Sequence, residues 1–268
     1  MPSHEFLSKK RVLITGASSG IGELTARFLA NKGYSVILVA RREENLQKIV
    51  ESIKSKGGIA EFVVANLGDE NERIQLHQRL MAENKLPDIL INNAGIGWYG
   101  YFSQMGWVTA KEVLSINVDA VVHLTSLFLP SMLDRKYGHV INIGSVAGKL
   151  PEQGIAIYSS SKAFLDSFTT ILHRELVGTN IHISVLRAGP IKTEFFDSAR
   201  KKENGGSIPA ERMAIPASEV ASAVWRLLRF PRKVAYVPFW MVVSPLLEFL
   251  FEWLIDLIGP LLLKSKSK

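Results

Sequence analysis

Tyr158 and Lys162 stand four positions apart in AIYSSSK, residues 156–162, with three serines between them. On a helix that spacing sets both side chains on one face. An ammonium beside a phenol favours the phenolate. The pair is therefore expected to lower the tyrosine pKa from its ordinary value of about 10 and to move a proton near neutral pH. An exposed helix start with one aromatic and one solvated lysine has the same spelling, so the pair alone does not decide.

A second feature with chemical content lies upstream. RVLITGASSGIG, residues 11–22, passes from a strand pattern into a helical one. Gly16, Gly20 and Gly22 allow a tight turn and a close backbone approach to a ligand. The helix beginning at Ile21 offers unpaired N–H groups and a positive dipole end to a phosphate. The spacing differs from G-x-G-x-x-G, and no Gly-Lys-Ser/Thr follows, so it is not a P-loop. Ser18 and Ser19 add hydroxyls. At the end of the second strand pattern an acidic residue would bind a ribose 2′-hydroxyl and repel a 2′-phosphate; Ala40, Arg41 and Arg42 stand there instead. Arg41 can form paired charge-assisted bonds to a phosphate, which favours NADP(H) over NAD(H). Arg42 reads as a solvated residue opening the next helix.

These groups need a frame. Strand patterns at 11–15, 35–40, 60–65, 88–95, 138–145 and 182–189 alternate with helical ones near 21–32, 43–56, 70–84, 110–133 and 157–177, and a further helical pattern covers 217–230. That alternation predicts an α/β fold: one domain with a doubly wound parallel sheet covered on both faces and ligands beyond the carboxyl ends of its strands. The 268 residues, 47% of them hydrophobic, suffice for a large core. With no cysteine, disulfides and thiolate metal sites are excluded. The six histidines are scattered, and no metal is expected. The net charge is +7, and eight basic residues against three glutamates lie between Ser198 and Lys233. No helix-turn-helix or aromatic RNA-binding pattern accompanies this charge, so nucleic acid ranks below acidic cofactors, acidic carriers or anionic lipid heads. MPSHEFLSKK lacks the apolar run of a signal peptide, no internal stretch reads as a conventional membrane span, and a cytoplasmic location is expected.

TGASSGIG (15–22), NNAG (92–95), Asn117 in SINVDA, Ser145 in INIGSVAG and the Y-x-x-x-K pair occur in this order at the expected strand ends. Together they resemble the short-chain dehydrogenase/reductase family over residues 9 to 195, and more weakly to about 235. The resemblance implies a Rossmann-like domain, 1–236, that transfers a hydride between NADP(H) and a carbonyl or alcohol. It implies Tyr158 as general acid or base and Lys162 as the group that lowers its pKa and binds the nicotinamide ribose. Ser145 would polarise the substrate carbonyl, and Asn117 would hold a water that links Lys162 to solvent. It further implies that Asn93, Ala94 and Gly95 line the cofactor, that Asn66 and Leu67 flank the adenine, and that Gly189, Ile191 and Thr193 run along the nicotinamide and its phosphates. Homodimers and homotetramers are common in the family. Ala188 stands where the family usually has proline, Asn66 where it often has aspartate, and Ser19 where a basic residue often marks NADP preference.

Residues 195–216, with glycines, prolines and basic side chains, match the family's mobile substrate lid; the charge could draw an anionic substrate or a membrane surface, or simply be solvated. Residues 237–268 exceed a minimal family member and end in KSKSK. Ser244, Glu248, Glu252 and Asp256 recur every four positions, the polar stripe of an otherwise apolar helix of about 15 residues bounded by Pro245 and Pro260. This amphipathic extension is expected to pack on its own domain or a second subunit, with a membrane interface (peripheral contact through 239–268) and a roof over an apolar pocket as the other readings. The aromatic run GWYGYF (97–102) and this extension suggest an apolar, lipid-like carbonyl to be reduced. Oxidative alcohol dehydrogenation and a non-catalytic cofactor-binding scaffold are the alternatives.

Overall fold

The computed structural model describes residues 10–206 and 208–264. The strands among them are β1 (Arg11–Thr15), β2 (Ser35–Ala40), β3 (Ile59–Val64), β4 (Ile89–Asn92), β5 (Gly138–Ser145), β6 (Ile181–Ala188), β7 (Ile191–Lys192), β8 (Ile215–Pro216) and β9 (Val234–Val237). The helices are α1 (Gly20–Asn31), α2 (Glu43–Lys54), α3 (Glu70–Ala82), α4 (Trp107–Leu114), α5 (Ala120–Asp134), α6 (Ala156–Glu175), α7 (Phe195–Arg200), α8 (Ala217–Arg229) and α9 (Ser244–Lys264). Seven strands form one parallel sheet in the order β3-β2-β1-β4-β5-β6-β9. This is the doubly wound, Rossmann-like architecture the alternation predicts. The order reverses between β1 and β4, and the crevice at that switch point is where such sheets bind ligands.

The pleat explains the two-sided core. Val12 and Ile14 point to one face and join the buried residues of α1, α2 and α8, including Leu29, Ile49 and Val224. Leu13 points to the other face and meets Leu76, Leu124 and Phe128 of α3 and α5. β5 and β6 pair from Gly138↔Ile181 through Ser145↔Ala188, so their register brings Ser145 and Ala188 to one edge.

Several boundaries differ from expectation. The fourth strand stops at Asn92, because the Asn93 N–H turns to the Thr15 hydroxyl at 2.9 Å. The expected helix 110–133 begins at Trp107 and is widened by a π turn at Ser115–Asp119. Trp107–Asp134 is long and apolar enough to cross a membrane by composition. Its second half instead buries Val121, Leu124, Phe128 and Met132 against the sheet. β9 was not expected: VAYV is too short to show a period.

The C-terminal helix needs the largest correction. It runs from Ser244 to Lys264, past both prolines expected to bound it, with a kink at Phe251 (φ −125°, ψ 15°). Pro245 falls in the first turn, where a missing N–H costs no intrahelical bond. Of the expectation that this helix packs on its own domain or a second subunit, the first half fails along most of its length: Leu246, Phe249, Trp253 and Leu257 are exposed in the single chain. Lys266 and Lys268 of the basic tail lie outside the described residues.

Candidate active site

Thr15 and Asn93 build the floor of the crevice. The buried Thr15 hydroxyl accepts the N–H groups of Asn93 and Ala94, both at 2.9 Å, and donates to the Ile91 carbonyl at 3.3 Å. Asn93 Nδ2 donates to the carbonyls of Thr15 at 2.8 Å and Gly16 at 3.2 Å. These bonds stitch NNAG to the glycine turn. Gly16 and Gly20 take positive φ, 64° and 57°, which glycine adopts without strain. A Cβ on Gly22 would lie 2.4 Å from the Gly16 carbonyl oxygen. Ser19 precedes α1 without a side-chain cap, so no cap hydroxyl occupies the first-turn N–H groups.

A groove of about 330 Å³ opens here. Of the expected dinucleotide contacts, Gly16, Ser18, Ser19, Gly20, Ile21, Arg41, Asn66, Leu67, Asn93, Ala94, Gly95 and Thr193 border it. Gly22 lies behind it in the turn, and Gly189 and Ile191 border the neighbouring cavity. Arg42 departs from its reading as a solvated helix opener. Its guanidinium donates to the hydroxyls of Ser18 at 3.1 Å and Ser19 at 2.5 Å and pairs with Glu194 at 2.8 Å. Arg42 thus spans the groove from the glycine turn to the start of the lid, while Arg41 lines the same groove. The pair holds the Glu194 carboxyl below the usual carboxylate range. Glycine cradle, uncapped helix start and two arginines fit a dinucleotide carrying a 2′-phosphate.

The second cavity, about 390 Å³, adjoins the groove. Ser145 enters it from the end of β5, and Tyr158 and Lys162 enter from α6. Lys162 is buried, and its ammonium donates to the Ile143 carbonyl at 2.9 Å and sits 5.7 Å from the Tyr158 ring centre. The turn at Val146–Gly148 abuts α6 at this point: a Cβ on Gly148 would come within 2.7 Å of the Lys162 carbonyl carbon. Asn117 is fully buried on the π turn. Its side chain exchanges bonds with Ile96, N–H to Oδ1 and Nδ2 to carbonyl, both at 3.0 Å, and donates to the Ser161 hydroxyl at 3.0 Å. Asn117 therefore clamps the loop after β4 onto α6, a positioning contact that spacing did not reveal.

The expected downward shift of the Tyr158 pKa is corrected. Burial pushes the phenol up, and a hydrogen bond with Ser145 only partly offsets this. Lys162 does not reverse this shift: burial depresses its own pKa to about 8 against the opposing charge of Asp166, and its ammonium stands 5.7 Å from the Tyr158 ring centre. Asp166, one turn beyond Lys162, is buried in an ion pair with Arg187 at 2.9 Å; Lys149 lies 3.8 Å away, and Arg187 also donates to the Tyr236 hydroxyl. This cluster went unread because its members are far apart in sequence and follow no motif.

Among the described lining side chains of the cavity only Glu152 and Lys162 are charged; Trp98, Ile155, Phe196, Met213, Trp240 and Met241 are among its apolar walls. Within GWYGYF, Trp98 borders the cavity, Tyr99 is buried and Phe102 is exposed. The roof comes from Trp240 and Met241, ahead of α9, and α9 itself does not line it. Residues 195–216, expected to form a lid, contain α7, and β7 pairs with β8 at the base of this segment. Trp98 Nε1 donates to the Glu203 carbonyl at 2.9 Å, which ties the lid to the cavity wall. Part of this region's charge is paired: Arg200 with Asp197 and Glu211, and Lys202 with Glu112 of α4. Phe195 borders both groove and cavity and lies 5.3 Å from the Tyr158 ring. No group of His, Asp and Glu able to hold a metal occurs among the described residues.

A dinucleotide groove opening onto a Ser-Tyr-Lys cluster defines a redox enzyme of the nicotinamide-dependent class. The short chain dehydrogenase family model matches residues 10–204, and the chain belongs to that family. It is 33% identical over 229 residues to the NADP-dependent 3-hydroxy acid dehydrogenase YdfG of Shigella flexneri, covering 83% of this chain and 90% of that protein. It is 38% identical over 186 residues to the ketoacyl reductase HetN of a Nostoc species, covering 68% of this chain and 64% of that one. Among solved structures, a short-chain dehydrogenase from Sphingobium yanoikuyae in complex with NADPH superposes with a TM-score of 0.80 at 27% identity, covering 92% of this chain and 96% of that one. The closed form of a serine dehydrogenase complexed with NADP+ gives 0.77 at 28% identity, covering 84% and 93%.

Proposed function

We propose that this chain is an NADPH-dependent carbonyl reductase acting on an apolar ketone or aldehyde, with residues 1–236 as the catalytic domain and 237–268 as an added extension. The observation that carries this reading is the convergence of the Ser145 and Tyr158 hydroxyls on an apolar cavity that adjoins the dinucleotide groove. The nicotinamide, when bound, supplies the hydride. The protein's part is to handle the oxygen. Ser145 and Tyr158 each donate a hydrogen bond to the substrate oxygen as negative charge develops there, and donors aimed at developing charge lower the barrier. Tyr158 then gives up its proton. Its raised pKa keeps the phenol protonated before reaction, as a general acid requires. Lys162, charged below about pH 8, restores the balance by favouring the phenolate once the proton has gone.

Substrate class follows from the lining. Among the described residues Lys162 is the single basic side chain there, and it is committed to the Ile143 carbonyl. A carboxylate in this cavity would find no arginine partner among them. The reading therefore departs from the 3-hydroxy acid in the name of one relative and keeps an uncharged, apolar substrate. Tyr158→Phe removes the transferable proton while keeping the ring. Its expected outcome is a fall in carbonyl-dependent NADPH oxidation of about 10²- to 10⁴-fold with NADPH affinity nearly unchanged. Undiminished turnover would rule out the acid role, and no turnover in wild-type protein across apolar aldehydes and ketones would leave the scaffold alternative standing.

A further inference from the structure

The largest surface without a role in this chemistry is that of the C-terminal segment. At about 100° per residue, Ser244, Glu248, Ile255 and Gly259 share one side of α9, and that side faces the body of the protein. Ser244 is buried, and one Glu248 carboxylate oxygen is sealed from solvent. The Ile255 carbonyl accepts from Gln153 at 3.3 Å, and Gly259 lies so close that a Cβ would overlap the Gln153 side chain. The opposite arc carries Leu246, Phe249, Leu250, Trp253 and Leu257, all exposed; Phe249 is 81% and Trp253 65% accessible. Ser244 and Glu248 thus turn inward and the apolar side turns outward, the reverse of a helix that packs on a core and faces water, while Glu252 and Asp256 stay exposed beside the apolar arc. Exposed Phe239, Trp240 and Val242 continue the surface towards the cavity.

We propose that this surface seats in the interfacial layer of an anionic lipid bilayer, with α9 lying along the membrane plane, and that the apolar carbonyl enters the cavity from the lipid. The second half rests on the reductase reading above. Lipid fits better than a second copy of the chain. With Leu247 and Ile258 also exposed, the apolar arc spans about half the helix circumference, wider than the stripe a helix–helix seam covers, whereas an interface immerses the whole arc. Tryptophans sit within it, as side chains suited to the headgroup level do. Charge is complementary: the chain carries +7, Lys264 ends the helix, and Lys266 and Lys268 follow it in sequence with no acidic residue among them. Glu248 lies on the inward side, and the exposed Glu252 and Asp256 flank the apolar arc rather than interrupt it. The surface is also continuous with the cavity, since Trp240 and Met213 each line it and are 61% and 65% exposed.

The test is flotation of the full chain with phosphatidylcholine vesicles, with and without phosphatidylglycerol, for wild type and the double variant Phe249→Glu/Trp253→Glu. Neither residue borders the groove or the cavity, so the variant keeps NADPH affinity and turnover of a water-soluble aldehyde, which also reports that it folds. The expected result is flotation of wild type with the anionic vesicles and a drop in partitioning of about tenfold or more in the variant. A wild type that stays at the bottom of the gradient, or a variant that floats as well as wild type, overturns the proposal. So does a lipid-free dimer that the variant dissociates while neither protein floats, because a second copy then covers the surface. Flotation without turnover of any carbonyl would keep the membrane seat and sink the reductase reading alone, along with lipid-side entry.

Discussion

α5 and α9 are both rich in leucine and phenylalanine, yet one is sealed in the core and the other stands open. Phe128 on α5 is 0% exposed, while Phe249 on α9 is 81% exposed. Topology makes the difference. α5 crosses from β4 to β5, adjacent parallel strands, so both its ends are fixed at the sheet and its length must lie across it. α9 follows β9, the edge strand of the sheet, and among the described residues no later strand draws it back. Apolar composition states that a surface will be covered; the chain's path states whether the protein itself covers it.

The strongest way to break this comparison is at Phe128, which packs between the sheet and His77, 5.2 Å from its ring. Phe128→Ala leaves a large cavity in a closed face of the core. We expect a loss of about 3–5 kcal/mol in folding free energy by denaturant titration. A loss under about 1 kcal/mol would mean that this face can collapse, and the contrast with α9 would lose its physical basis.

The groove yields the intermediate effect. Arg42 is half-exposed and its pair with Glu194 is worth little by itself, but a 2′-phosphate would replace that carboxylate with a more highly charged partner. Arg42→Ala is expected to weaken NADPH binding about 10- to 100-fold and leave NADH nearly unchanged. Equal titrations on Arg41→Ala sharpen the assignment. If Arg41→Ala carries the whole loss and Arg42→Ala none, the 2′-phosphate belongs to Arg41, as the sequence pattern suggests, and Arg42 serves only to fasten the lid.

The sequence made the frame and the motif positions legible because periodicity and glycine spacing are local. β1, β2 and β5 fall where their apolar runs lie, and Gly16, Asn93, Ser145 and Tyr158 converge because each ends a strand or opens a helix. What stayed hidden depends on distant partners. Arg41 and Arg42 are neighbours, and only the turn into α2 decides which guanidinium swings to Ser18 and Ser19. The direction of the Tyr158 pKa depends on burial, which no four-residue spacing encodes. The Asp166–Arg187 pair joins α6 to β6 across 21 positions. Pro245 and Pro260 were read as boundaries although proline is at home in a first turn and can be carried within a kinked helix.

The smallest expected effect is the most informative for α9. Phe249→Ser deletes an aromatic ring, as Phe128→Ala does, but from a site where the ring meets solvent. In lipid-free, dilute protein the side chain has little burial to lose, and the change in folding free energy should stay within about 0.5 kcal/mol. Phe251, at the kink, and Leu254, on the half-buried side, are the local residues that would feel any rearrangement. A loss of 2 kcal/mol or more, by the scale of buried apolar side chains (about 1.5–3 kcal/mol), would require that Phe249 be covered in solution. The outward face of α9 would then already be occupied before any membrane is present, and the contrast between the two helices would reduce to one buried within the subunit and one buried between subunits.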